Sequence, residues 1–173
     1  KVIVSGRRQA PLETLASEIG GIAIPCDMGD EASIQSLFQS ASEQAGPVHI
    51  AINSAGALAG NPIAALTREA IQPTLDVSFI GALLMFKYAA EVMTEGGSIM
   101  TISSLTARLP GPGLAVYAAA RAGIDYAIKI AAVEYGEQNI RFNSIAAGLI
   151  RTDMTDAIFE HSDSEERFIP HIP

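Results

Sequence analysis

Tryptophan is absent, cysteine occurs once and charged side chains are few, and each scarcity closes off a class of protein. Cys26 alone can form no internal disulfide, which points to a reducing cytoplasm rather than a stapled secreted scaffold. No apolar run reaches the roughly 18 residues of a membrane span, and no N-terminal stretch has the make-up of a signal peptide. Lys and Arg total 11 against 19 Asp and Glu; the net charge of −8 argues against a nucleic-acid surface. His49, His161 and His171 are too scattered for a metal site, and the acidic run around His161 reads as a solvated face.

What is present is ordinary for a soluble protein, 173 residues with 49% apolar and 17% charged side chains. That length is enough for one domain, residues 1–173, burying roughly 70% of the extended chain's surface. Low charge implies strands covered on both faces. Lys1 is no initiator and opens into the apolar run Val2-Ile3-Val4, and the last residues bring no closing element. The sequence therefore reads as part of a longer chain.

Periodicity divides it into strands alternating with helices. Residues 2–4 read as a buried strand; Leu12, Leu15, Ala16 and Ile19 then fall at helical spacing until Gly20-Gly21. Residues 22–24 are the next strand, and Asp30 caps a helix carrying Ile34, Leu37, Phe38 and Ala41. A third strand spans 48–52. Thr67 caps a short helix, and Pro73 is expected to open a long apolar one. Residues 97–104 form a strand delivering Ser103 and Ser104, and a turn through Pro110, Gly111, Pro112 and Gly113 leads to a helix over about 116–135. Residues 140–145 are the fifth strand. Such alternation means βαβ units, a parallel sheet and right-handed crossovers. Ligands of such sheets bind at the C-terminal ends of the strands, where Ser104 and Tyr117 can meet. Tyr117 and Arg121 are four apart, hence on one helix face.

Asn53-Ser54-Ala55-Gly56 after the third strand, with Ser104 preceding Tyr117 by 13 residues, resembles the short-chain dehydrogenase/reductase family. The resemblance covers nearly the whole chain. It implies a Rossmann-type α/β fold, a doubly wound parallel sheet with helices on both faces, here lacking the first βα unit with its glycine-rich phosphate loop and the last strand. It also implies hydride transfer between a nicotinamide cofactor and a carbonyl or secondary alcohol, such as a 3-oxoacyl or similar ketone.

On that resemblance Tyr117 is the general acid in reduction and the general base in oxidation, and Ser104 orients the substrate oxygen. A free phenol, with a pKa of about 10, needs a neighbouring cation for this work. Arg121 stands where the family has lysine, and its planar fork reaches differently from an ammonium. Ser78 replaces the asparagine that anchors a proton-relaying water, and a hydroxyl could still hold one. Gly6, Arg7 and Arg8 occupy the place of the ribose-binding acid of NAD-preferring relatives, which favours NADP while leaving NAD possible; a solvated basic helix start is the plainer reading. Asp27 and Met28 match the adenine contacts, or form a plain turn. Asn53, Ala55 and Gly56 bring backbone against the cofactor ribose, or simply end a strand. Ala147 replaces the family's proline, and beyond it Ile150 offers backbone and Thr152 a hydroxyl to the nicotinamide. Leu58, Leu105, Leu109 and Leu114 line an apolar pocket or belong to the core. Residues 152–173 are expected to form a substrate lid.

The resemblance also implies a homodimer or homotetramer through helices near 73–95 and 115–136, with a small-molecule substrate and neither nucleic acid nor membrane as partner. Two rivals stand beside active catalysis. One is a cofactor- or partner-binding protein impaired by Arg121 and Ser78 together, and the other is an inactive fragment.

Overall fold

Short runs rich in Ile, each closed by Gly, Pro, Asn, Ser or Ala, become five parallel strands in the computed structural model, which describes residues 1–159. β1 (Ile3–Gly6) pairs with β2 (Ile22–Pro25), Ile3 lying opposite Ile22. β3 (Ile50–Asn53) pairs with β4 (Gly97–Ser104), and β4 with β5 (Ile140–Ala147). The strands form two sheets, β1–β2 and β3–β4–β5, rather than one continuous ladder.

The helices are α1 (Gln9–Ile19), α2 (Glu31–Ala45), α3 (Arg68–Leu75), α4 (Gly81–Val92), α5 (Ala115–Glu134) and the single turn α6 (Asp156–Phe159). Both expected caps form, Asp30 accepting from the N–H of Ala32 and Thr67 from that of Ala70. Gly20 ends α1 in the left-handed region, φ 65°, where a side chain would be strained.

Pro73 behaves differently from expectation. It lies inside α3, and the chain runs on through a wide π turn, Asp76–Ile80, directly into α4. Proline cannot donate back to Glu69. The N–H of Asp76 reaches the carbonyls of Gln72 and Pro73, and that of Gly81 reaches Asp76 five residues earlier, so the run stays bonded as it widens. At Gly81 a side chain would collide with the carbonyl of Met28, which brings the start of α4 against the end of β2. β3 also starts at Ile50, two residues later than the apolar pattern.

One face of the three-stranded sheet supplies Ala51, Ile99, Ile140 and Phe142 to a core shared with Met85, Phe86 and Ala89 of α4 and Ile124 and Ile128 of α5. Phe86 meets Phe142 edge-on at 5.5 Å between centroids, the arrangement ring quadrupoles favour. Ile34 and Phe38 bring α2 into the same core. The other face leaves Ile50, Ile52 and Ile145 exposed. The N–H of Asn61 bonds to the carbonyl of Gly113 at 2.9 Å, tying the loop after β3 to the turn before α5. The C-terminal ends of β3 and β4 and the first turns of α5 thus share one edge of the molecule.

Among the described residues no helix is long and apolar enough to cross a membrane, and no group of three His, Cys, Asp or Glu side chains could hold a metal ion. His161, His171 and the expected lid from 160 onward lie outside the described residues.

Candidate active site

Side chains alternate along β4, so Ile99, Thr101 and Ser103 are buried while Ser104 at the strand's end is half-buried. The turn Leu105–Ala107 follows, capped by Ser104 itself. Ser104 Oγ accepts the N–H of Thr106 at 3.2 Å and the Thr106 hydroxyl at 2.9 Å. A hydroxyl has two lone pairs and one proton, so both acceptor places are filled and the proton remains to be donated. Reading the sequence for chemistry does not single out Thr106; the signal it carries is Ser-x-Thr at a strand end, a local turn pattern.

Tyr117 is half-buried in the first turn of α5, and Arg121 lies one turn on. The guanidinium carbon sits 5.1 Å from the centroid of the Tyr117 ring, within cation–π range. Arg121 is only 3% exposed, and its Nη2 donates to the carbonyl of Ala55 at 3.1 Å. Nε and Nη1 are buried with no hydrogen-bond partner, and no carboxylate pairs with Arg121 among the described residues. A buried cation left in this state destabilises the fold unless an acceptor meets it.

The loop after β3 is held from within. Asn53 Oδ1 accepts the N–H of Ala55 at 2.9 Å, while Asn53 Nδ2 is buried and unpartnered. Ser78, fully buried in the π turn, accepts the N–H of Ala57 at 3.0 Å and donates to the carbonyl of the same residue at 3.1 Å. Its single proton is therefore committed to Ala57, and only one lone pair is left for a water.

The other expected residues are more scattered in character. Gly6 is half-buried at the end of β1, and Arg7 and Arg8 are exposed beyond it, Arg8 lying 3.8 Å from the Asp153 carboxylate on the surface. Asp27 Oδ1 accepts the N–H of Gly29 at 2.9 Å, the geometry of a plain turn, with Met28 half-buried beside it. Ile150 is exposed and its carbonyl accepts from the Thr155 hydroxyl at 2.6 Å; the Thr152 hydroxyl lies 3.1 Å from Thr155 Oγ1. Leu58, Leu105 and Leu114 are half-buried, Leu109 is exposed, and none belongs to the core cluster.

Among the described residues five buried polar atoms have no partner: Asn53 Nδ2, Ser103 Oγ, Nε and Nη1 of Arg121, and, one turn further along α5, the acceptor Asp125 Oδ1. Three are pure donors. Buried polar atoms in folded proteins are nearly always satisfied by protein, water or ligand. These residues fit the hydroxyl-bearing, oxygen-rich part of a nucleotide cofactor.

Comparison with known proteins gives this arrangement a context. A family profile described as enoyl-(acyl carrier protein) reductase matches residues 1–173. The chain belongs to the short-chain dehydrogenase/reductase family. Among similar members, carbonyl reductase family member 4 of Xenopus laevis is 32% identical over 173 residues, covering 98% of this chain and 72% of that protein. The NADH-dependent enoyl-acyl-carrier-protein reductase FabI of Bacillus subtilis (strain 168) is 35% identical over 155 residues, covering 84% of this chain and 60% of that one. The structure of a short-chain dehydrogenase/reductase from Mycobacterium ulcerans superimposes with a TM-score of 0.88 at 29% identity, over 95% of this chain and 64% of that chain. This short-chain dehydrogenase/reductase thus spans about two thirds of the length of the relatives it matches, and the expected Rossmann-type α/β fold is theirs.

Proposed function

We propose that this short-chain dehydrogenase/reductase is an oxidoreductase moving a hydride between NADP(H) and a carbonyl or secondary alcohol, in the manner of a 3-oxoacyl or similar ketone reductase. The observation carrying the reading is the contact between Tyr117 and the buried guanidinium of Arg121 on α5, the helix that packs against β4, whose last residue Ser104 has its proton free to donate.

When bound, the nicotinamide supplies the hydride. Asn53 Nδ2 and the free edges of Arg121 are the donors that would meet the adjoining ribose, with Ala55 and Gly56 giving backbone close approach. Ser104, its lone pairs occupied by Thr106, donates to the substrate carbonyl oxygen and fixes where it sits. As negative charge develops on that oxygen, the Tyr117 hydroxyl transfers its proton to it; in oxidation the proton returns the same way. The guanidinium beside the ring supplies the positive charge that balances the phenol oxygen once the proton has left. Arg7 and Arg8, exposed at the end of β1, favour the additional phosphate of NADP.

Tyr117→Phe is the direct test, measured in the full-length protein with NADPH and a panel of ketones. Turnover is expected to fall about 10²–10⁴-fold with NADPH affinity within a few-fold of the parent. An undiminished rate would overturn the assignment.

A second reading, a binding protein with impaired turnover, is favoured by the Ser78 proton being committed to Ala57. Restoring Lys at 121 and Asn at 78 separates the two. A large gain in rate supports the second reading, and no gain supports native activity. Assembly follows the same reasoning: Tyr126, Ile130 and Val133 form an exposed apolar stripe on α5, and Ile80 and Leu83 are exposed near the start of α4, a surface that a second copy would cover.

A further inference from the structure

Glycine is needed where φ is positive or where a side chain would collide. Gly56 is outside the first group, since the positive-φ glycines of the described residues are Gly20, Gly46, Gly96 and Gly113. A Cβ at 56 would instead overlap Nη2 of Arg121, whereas the next neighbour outside that guanidinium, Met154 Cε, would stand at an ordinary 3.9 Å. Nη2 is the atom that donates to Ala55.

From this overlap we infer that Gly56 is a positioning residue for Arg121, its missing side chain being what admits the guanidinium to its place beside Tyr117. The loop side of the contact is braced by Asn53 on Ala55 and by Ser78 on Ala57, so it cannot easily retreat. The other side is the tip of a long side chain, which can swing. An alanine at 56 therefore drives the guanidinium off the Ala55 carbonyl and away from the phenol while leaving the backbone where it is. A lysine at 121 carries no Nη2 and leaves that space open. The two departures Arg121 and Ser78 thereby act on one loop, one resting on it and the other fixing it. The steric pairing stands on packing alone, and its effect on turnover rests on the proposed role of Tyr117.

A cycle of four full-length proteins tests this: the parent, Gly56→Ala, Arg121→Lys and the double variant. For each, kcat and KM for ketone reduction, NADPH affinity by fluorescence, and the thermal midpoint without cofactor are measured. Gly56→Ala is expected to lower kcat about tenfold or more when residue 121 is arginine and less than about threefold when it is lysine. The midpoint is expected to fall by roughly 2–4 °C with arginine and by less with lysine. Equal losses in both backgrounds would overturn the pairing and assign Gly56 to cofactor approach instead. If the parent shows no turnover, the proposed function fails but the midpoint cycle still decides the pairing. Should Gly56→Ala not fold, a folded double variant supports the pairing and an unfolded one overturns it.

Discussion

Thr106 gives Ser104 two hydrogen bonds, one from its N–H at 3.2 Å and one from its hydroxyl at 2.9 Å. The Ser104 hydroxyl is thereby turned into a donor. Replacing Thr106 by Val removes the side-chain bond and frees Ser104 to rotate. A neutral hydrogen bond contributes about 0.5–1.5 kcal/mol, so kcat/KM for the ketone should fall roughly 2–10-fold with NADPH affinity unchanged. Thr106→Ser should restore most of the loss. Steady-state kinetics on the three proteins checks this, and equal rates for Val and Thr would remove Thr106 from the site.

Arg7 and Arg8 lie exposed beyond the end of β1, and on the proposed NADP(H) reading they meet its 2′-phosphate; the Arg8–Asp153 pair is too solvated to stabilise the fold measurably. The double change Arg7→Gln, Arg8→Gln should lower the NADPH-over-NADH preference in kcat/KM by about tenfold or more. The thermal midpoint should stay within about 2 °C of the parent, since substitutions at such surface positions have small effects. An unchanged preference would place these arginines on a merely solvated helix start.

Val133 is 82% exposed, and with Tyr126 and Ile130 it makes an apolar stripe one helix face long. Ile130→Glu with Val133→Glu should convert an oligomer into a monomer, read by light scattering behind size exclusion. Circular dichroism should remain that of the parent, because neither side chain belongs to the core cluster. An unaltered mass would move the interface elsewhere.

Tyr88 donates to Glu31 at 2.8 Å and Lys87 donates to Tyr88 at 3.1 Å, a chain that fastens α2 to α4. The Tyr88 hydroxyl holds the Glu31 carboxyl below the usual carboxylate range, with the charge of Lys87 acting in the same direction. A group lowered on folding adds stability above its unfolded pKa, about 4.3 for Glu, and loses it as pH falls through the folded value. Tyr88→Phe should therefore flatten the drop in thermal midpoint between about pH 5 and 3 while keeping the ring in the core. On the alkaline side the same tyrosine, with Glu31 adding its charge, raises the Lys87 pKa. That contribution is present below the unfolded value of about 10.4 and fades as pH rises through the folded one. Parallel acid limbs in parent and variant would show the chain to be unimportant.

Much of the architecture was legible from local pattern. Asp30 and Thr67 cap their helices and Gly20 ends the first in a left-handed turn, whereas the expectation of strands covered on both faces fails at β3, where Ile50 and Ile52 are exposed opposite the buried Ala51 and Asn53. The difference at Pro73 has a local cause too. Proline favours a helix start, but here the N–H groups downstream bond to Gln72, Pro73 and Asp76 through the π turn, so the helix runs on past it.

Amino-acid order alone determined the succession of strands and helices, and it put Arg121 one turn from Tyr117, because hydrogen bonds within a turn and the period of a helix involve only near neighbours. Only the tertiary structure decided that Ser78 spends its proton on Ala57 and that Arg121 is buried against Gly56 with two edges unmet. Those facts depend on which distant backbone atoms arrive within about 3 Å of a side chain, a distance set by how whole elements pack rather than by any residue's own preferences.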